Sequence, residues 1–124
     1  MIVVDTSVWI DYFADPGRVS NLEQLLRDNV VVVHPWILGE IALGHLGSQR
    51  RAILGNLSRL PKTNVHLESE IMLFMDKLTL WGQGLSWTDI QILYTCQIGS
   101  LKLWTLDKAL KRSAQKLDCT YVPG

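Results

Sequence analysis

Only two cysteines, Cys96 and Cys119, occur in the 124 residues. They cannot build a disulfide framework, and no Cys-x-x-Cys or His/Cys grouping with zinc spacing accompanies them. Two reduced structural thiols in a cytoplasmic protein are expected instead. Net charge is also missing, since twelve Lys+Arg meet twelve Asp+Glu. That balance excludes a uniformly basic chain that holds nucleic acid by bulk charge alone. The longest apolar run, Ile71 to Met75, falls far short of the ~20 residues of a membrane span, and the start carries no basic region. Neither a membrane partner nor a signal peptide is expected. Phosphate-cradling loops are lacking too: Gly82-Gln83-Gly84 has no third glycine, and no Gly-Lys-Ser/Thr occurs.

What remains suits one folded domain spanning residues 1–124, with 48% apolar and 19% charged residues and no internal repeat or linker. Ile2-Val3-Val4 and Val30 to Val33 are β-branched runs of the kind found in strands buried on both faces. Lys102 to Leu106 is a third strand candidate, with Asn64 to His66 and Cys119 to Val122 as shorter ones. Helical patterns fill the gaps: 7–13, 21–28, 36–46, 49–60, 68–81, a segment from Thr88, and 108–116. The 36–46 segment is apolar nearly all round and is expected to be well buried. Thr88-x-x-Gln91 reads as a capping box. Strands alternating with helices imply an α/β fold on a mostly parallel sheet, whose functional groups gather beyond the carboxyl ends of the strands.

The charges are placed unevenly. Asp5 is the only charged residue among the first ten. Glu40 is alone between Asn29 and Gln49, and Asp89 is alone between Leu78 and Leu101. An unpaired buried carboxylate is costly, so three such acids ask for a shared compensation. Asp5 and Asp107 follow predicted strands, and Glu40 and Asp89 lie near predicted helix starts. All four then fall near one sheet edge, and an oxygen-only set of this kind suits Mg²⁺ or Mn²⁺ rather than zinc. Each acid also has an ordinary reading: a turn residue at Asp5, a solvated residue at Glu40, helix-dipole or capping residues at Asp89 and Asp107.

Asp5-Thr6-Ser7-Val8-Trp9-Ile10-Asp11 after Ile-Val-Val resembles the opening of PIN-domain proteins, in particular VapC-type toxins of prokaryotic toxin–antitoxin pairs. Glu40, Asp89 after Leu85-Ser86-Trp87-Thr88, and Asp107 after Thr105-Leu106 match the family's remaining acidic positions in order, over essentially the whole chain. The resemblance implies a PIN-like α/β/α sandwich with a five-stranded parallel sheet. It implies a Mg²⁺- or Mn²⁺-dependent endoribonuclease that cleaves RNA with a metal-activated water. Asp5, Glu40, Asp89 and Asp107 would form its metal site, and Thr6 and Thr105 would orient a carboxylate or a bound water. It further implies a homodimer and a VapB-type antitoxin partner.

Two segments, 48–63 and 101–124, carry nine basic residues against two acids, so the zero total is a cancellation between unlike regions. Lys108, Lys111 and Arg112, on the helix beginning at the last acid, are the best candidates for RNA phosphates. Trp87, two residues before Asp89, is a candidate for stacking on a base. His34, His45 and His66 show no catalytic spacing. A haloacid-dehalogenase-type phosphatase needs a second Asp where Ser7 stands, and a receiver domain needs an acidic pair at the first strand end. The rival from another class is a non-catalytic PIN-like module that binds RNA or protein.

Overall fold

Three short runs of apolar residues pair at the centre of the computed structural model, which describes all residues 1–124. They are β1 (Ile2–Val4), β2 (Val31–Val32) and β3 (Lys102–Trp104). The sheet is parallel in the order β2-β1-β3, with Val3 opposite Val32 and Leu103. All of β1 is buried, as a central strand covered by helices on both faces requires. The helices are α1 (Thr6–Ala14), α2 (Asn21–Arg27), α3 (Pro35–Leu43), α4 (Arg50–Ser58), α5 (Glu68–Leu78), α6 (Trp87–Gly99) and α7 (Lys108–Lys116). Within the helical layers α1 packs on α3 and α3 on α4, while α6 packs on both α5 and α7.

Only three strands form, not the five expected. The two outer positions shrink to single parallel bridges, Val33 with Lys62 and Leu103 with Thr120. Pro61 has no N–H to extend the first, and the polar residues after it stay largely exposed rather than forming the expected strand over 64–66. The second is bounded by Asp118, whose φ of 54° turns the chain out of an extended path. The five-strand order thus survives in outline, with edges too short to offer an unpaired ladder to another chain.

The burial of α3 also differs from expectation. Only Ile37 and Ile41 are buried, and Leu43 is 90% exposed. Apolar composition gave that helix no polar face to point outward, so part of it meets solvent. The capping box of α6 lies two residues earlier than Thr88: the Ser86 hydroxyl accepts from the Asp89 N–H, and the Asp89 carboxylate accepts from the Ser86 N–H. Gly82 and Gly84 adopt positive φ in the loop before this cap, which is a turn function rather than a phosphate cradle.

His34 caps α3 from the end of β2. Its Nδ1 accepts the Trp36 N–H at 3.0 Å, which leaves the proton on Nε2, fully buried and without a partner. Burial above all, with repulsion from His66 second, lowers its pKa to about 4. The imidazole is therefore neutral when folded but becomes charged below pH ~6.5 when unfolded. Stability is full above that pH and falls as the pH drops towards about 4, by up to about 3 kcal/mol. His34→Asn keeps a cap acceptor and removes the titration. Urea melts between pH 4 and 7 are expected to show a shallower pH slope for this variant than for the wild type.

Candidate active site

The carboxyl ends of the three strands carry the residues of interest. Val4 leads into Asp5, Val33 into His34, and Trp104 into Thr105, Leu106 and Asp107. Asp5 is the N-terminal cap residue of α1 but makes no side-chain bond to that helix's backbone. Its Oδ2 instead accepts from two hydroxyls, Ser7 Oγ and Thr105 Oγ1, each at 2.8 Å. Those hydroxyls are themselves held. Ser7 Oγ accepts the Leu106 N–H, and Thr105 Oγ1 accepts the Asp107 N–H. The ends of β1 and β3 are thereby tied into one polar network. The adjacent pairing of two parallel strands makes this possible, although a hundred residues separate Asp5 from Thr105.

The other acids are held in the same manner. Glu40 Oε1 accepts from Thr6 Oγ1 at 2.8 Å, which ties α3 to the first residue of α1. Asp107 caps α7, with Oδ2 accepting the Leu110 N–H at 2.8 Å. Asp89 Oδ2 is engaged by the Ser86 N–H in the capping box. Every one of the four carboxylates therefore commits one oxygen to a positioning bond. The second oxygen of each has no hydrogen-bond partner in the chain, and none of the four meets a Lys, Arg or His in an ion pair.

Their environments differ from the sequence expectation. Asp5 is buried, Asp89 is half-buried, and Glu40 and Asp107 are exposed. The argument from buried, unpaired charge thus applies in full to Asp5 alone. Burial is the main cause that raises the pKa of Asp89. The Ser86 bonds oppose it, and the nearby charges of Asp5 and Asp107 add to it. Asp5, Asp89 and Asp107 are thus within electrostatic reach of one another, while Glu40 is linked to them through Thr6. No three carboxylate, imidazole or thiol groups converge closely enough to close a metal shell as they stand. The donor chemistry nevertheless fits a hard divalent cation, since the unpartnered atoms are all carboxylate oxygens.

A raised carboxyl pKa means that ionisation opposes folding as the pH climbs above the ordinary Asp range. Asp89→Asn can retain the bond from the Ser86 N–H while removing the charge. In EDTA at pH 7 the variant is expected to be slightly more stable than the wild type, the gain being reduced by solvent screening. The gain should shrink as the pH is lowered towards 4, as thermal melts over that range would record.

Two positioning residues escaped the sequence reading. Ser7 has no assigned role in the sequence motif that contains it, yet it holds both Asp5 and the Leu106 backbone. The signal was a hydroxyl two residues after a strand-end acid. Ser86 was hidden behind the competing Thr88-x-x-Gln91 pattern. Thr6 and Thr105 both hold carboxylates, on Glu40 and Asp5 respectively. Lys108, Lys111 and Arg112 lie exposed on α7 with no side-chain partner, whereas Arg50 and Lys62 are engaged by backbone carbonyls of Ala42 and Ser58. The free cations of the chain thus include those on the helix that Asp107 caps.

Comparison with known proteins yields a consistent set of relatives. The family model described as PIN domain matches residues 2–116. Ribonuclease VapC32 of Mycobacterium tuberculosis is 37% identical over 112 residues in both strain CDC 1551 / Oshkosh and strain ATCC 25618 / H37Rv. The match covers 90% of this chain and 88% of the relative. The crystal structure of PAE2754 from Pyrobaculum aerophilum superposes with a TM-score of 0.64 over 94% of each chain, at 15% identity, and so shares the fold.

Proposed function

This chain belongs to the PIN-domain family and is of its VapC ribonuclease type, and from that premise we propose that it is an endoribonuclease toxin dependent on Mg²⁺ or Mn²⁺. The observation that carries this reading is the shared state of Asp5, Glu40, Asp89 and Asp107. Each has one oxygen fixed by the fold and one left without a partner. Asp5 carries the reading furthest, because it is buried at 7% exposure with no cation paired to its charge.

The four acids are assigned as the ligand set of the ion. A divalent cation bound there supplies Lewis-acid activation of water and offsets charge on the phosphodiester. The chain's own residues do the rest. Ser7 and Thr105 hold Asp5 in one orientation, and Thr6 does the same for Glu40. Rigid placement of this kind is what ligand carboxylates require, because outer-shell bonds fix both their direction and their basicity. Lys108, Lys111 and Arg112 are assigned to the RNA backbone, where cations position a substrate without reading its sequence. His34, at the end of β2, takes no part as a general base, since it is buried and already used as a helix cap.

The reading extends to the cell. The protein acts in the cytoplasm as a homodimer and is restrained by a VapB-type antitoxin. The test of the core claim is cleavage of total RNA with Mg²⁺ or Mn²⁺, repeated in EDTA. Metal-stimulated cleavage that EDTA stops is expected. Cleavage that survives EDTA would overturn the metal assignment. A wild type that cleaves nothing and is harmless on expression would favour the non-catalytic binding module.

A further inference from the structure

A cleft of about 490 Å³ is bounded by Trp36, His66, Glu68, Met72, Trp87 and Gln91, and its two tryptophans stand on the helices that carry Glu40 and Asp89. Its size lies within the usual range of small-ligand pockets. Two of its walls are joined to the acidic site by short stretches of helix. Trp36 stands four residues before Glu40 on α3, one turn away on the same face. Trp87 opens α6 two residues before Asp89.

The lining decides what can enter. It holds no Lys or Arg and contains the Glu68 carboxylate, so a phosphate or another anion is disfavoured. It offers two indole rings and a thioether, which favour a flat, uncharged, polarisable group. Gln91 supplies the second observation. Its side chain is 1% exposed, and its Oε1 accepts only a long bond from the His66 N–H, 3.4 Å. Its Nε2 donates to nothing in the chain, although Gln91 lines the cleft and this amide is not sealed away from solvent. A buried amide that keeps a free donor at a cleft wall is placed to meet a ligand acceptor.

We propose that this cleft is a nucleobase subsite, in which an unpaired RNA base stacks on Trp87 or Trp36 and accepts a hydrogen bond from Gln91 Nε2. The inference rests on the ribonuclease reading and names what that reading leaves open, the way a base beside the scissile phosphate is held. Base–aromatic stacking suits single-stranded RNA, whose bases are free to splay out. The Glu68 carboxylate gives an acceptor for a base N–H and disfavours entry of the sugar-phosphate backbone.

The experiment uses uncharged nucleosides and the full chain labelled with ¹⁵N at tryptophan, so that neither metal nor cleavage is needed. At least one of the four standard nucleosides is expected to shift the indole signals of Trp36 and Trp87 at millimolar concentration. Trp81 is the internal control, because it is 58% exposed and lies outside the cleft. Trp87→Ala is expected to weaken binding by about 5- to 100-fold. Gln91→Leu should weaken it about 5- to 10-fold, the scale of one lost hydrogen bond. The proposal is overturned if no nucleoside moves either signal, if ribose 5-phosphate moves them equally, or if Trp81 moves as much. It is also overturned if folded Trp87→Ala and Gln91→Leu bind like the wild type. Nucleoside binding without RNA cleavage would instead remove the ribonuclease reading and leave the subsite standing.

Discussion

Asp5→Asn is expected to lower metal-dependent RNA cleavage by about 10²–10³-fold, the scale on which a single charge-stabilising group counts in a transition state. Asn is nearly isosteric with Asp, and its carbonyl oxygen still accepts from Ser7 Oγ and Thr105 Oγ1. The fold should therefore persist, with a melting temperature within a few degrees of the wild type. What changes is the second oxygen, which becomes an amide that cannot ligate a cation. Mn²⁺ added to the wild type is expected to raise its melting temperature, and the same titration of Asp5→Asn should give a much smaller rise. Full activity in a folded Asp5→Asn protein would exclude this carboxylate from the site.

The second large effect is at Thr105. Thr105→Val preserves shape and removes one hydroxyl that is buried at 4% exposure. That hydroxyl donates to Asp5 Oδ2 and accepts the Asp107 N–H, so its loss loosens two acids together. Activity is expected to fall about 10–100-fold, as for groups that hold metal ligands. Stability should fall by about 1–3 kcal/mol, because the Asp107 N–H loses its acceptor. Thr105→Ser retains the hydroxyl and is expected to recover most of both losses. If Val and Ser variants cleave RNA equally, Thr105 only fills space. Kinetics across a Mn²⁺ series would separate the cases, since a loosened site needs more metal for half-maximal rate.

The sequence displayed those parts of the fold whose signals are local. The runs at Ile2–Val4, Val30–Val33 and Lys102–Leu106 stood out because buried parallel strands are largely apolar, and they form strands over Ile2–Val4, Val31–Val32 and Lys102–Trp104. Helix α7 was legible end to end, since Asp107 caps it and its apolar positions recur with helical period. At the edges the outcome is mixed: the Cys119 to Val122 candidate holds the bridge at Thr120, whereas the other bridge falls at Lys62, before 64–66, because a single bridge depends on where a neighbouring strand lies. The facing of α3 was lost for a different reason. A helix without a polar stripe has no pattern that says which side turns inward, and Leu43 went to solvent. Asp5, Glu40 and Asp89 were visible as isolated charges, and Asp107 by its place after a strand. Their holding bonds were not, because Ser7 and Thr105 meet Asp5 only once β1 and β3 lie side by side.

Three of the four acids sit at the amino ends of helices: Asp5 before α1, Asp107 before α7, and Asp89 in the first turn of α6. Each helix end carries a partial positive charge of roughly half a unit from its unpaired N–H groups. These three acids therefore have a partial electrostatic offset even when no ion is bound, although at Asp89 burial outweighs it. Structural zinc domains differ, since they unfold when the metal is taken away. On the proposed metal reading, folding and ion capture would be separable events in this chain. The protein would then fold in an ion-free form, and loading would follow as a distinct and reversible step.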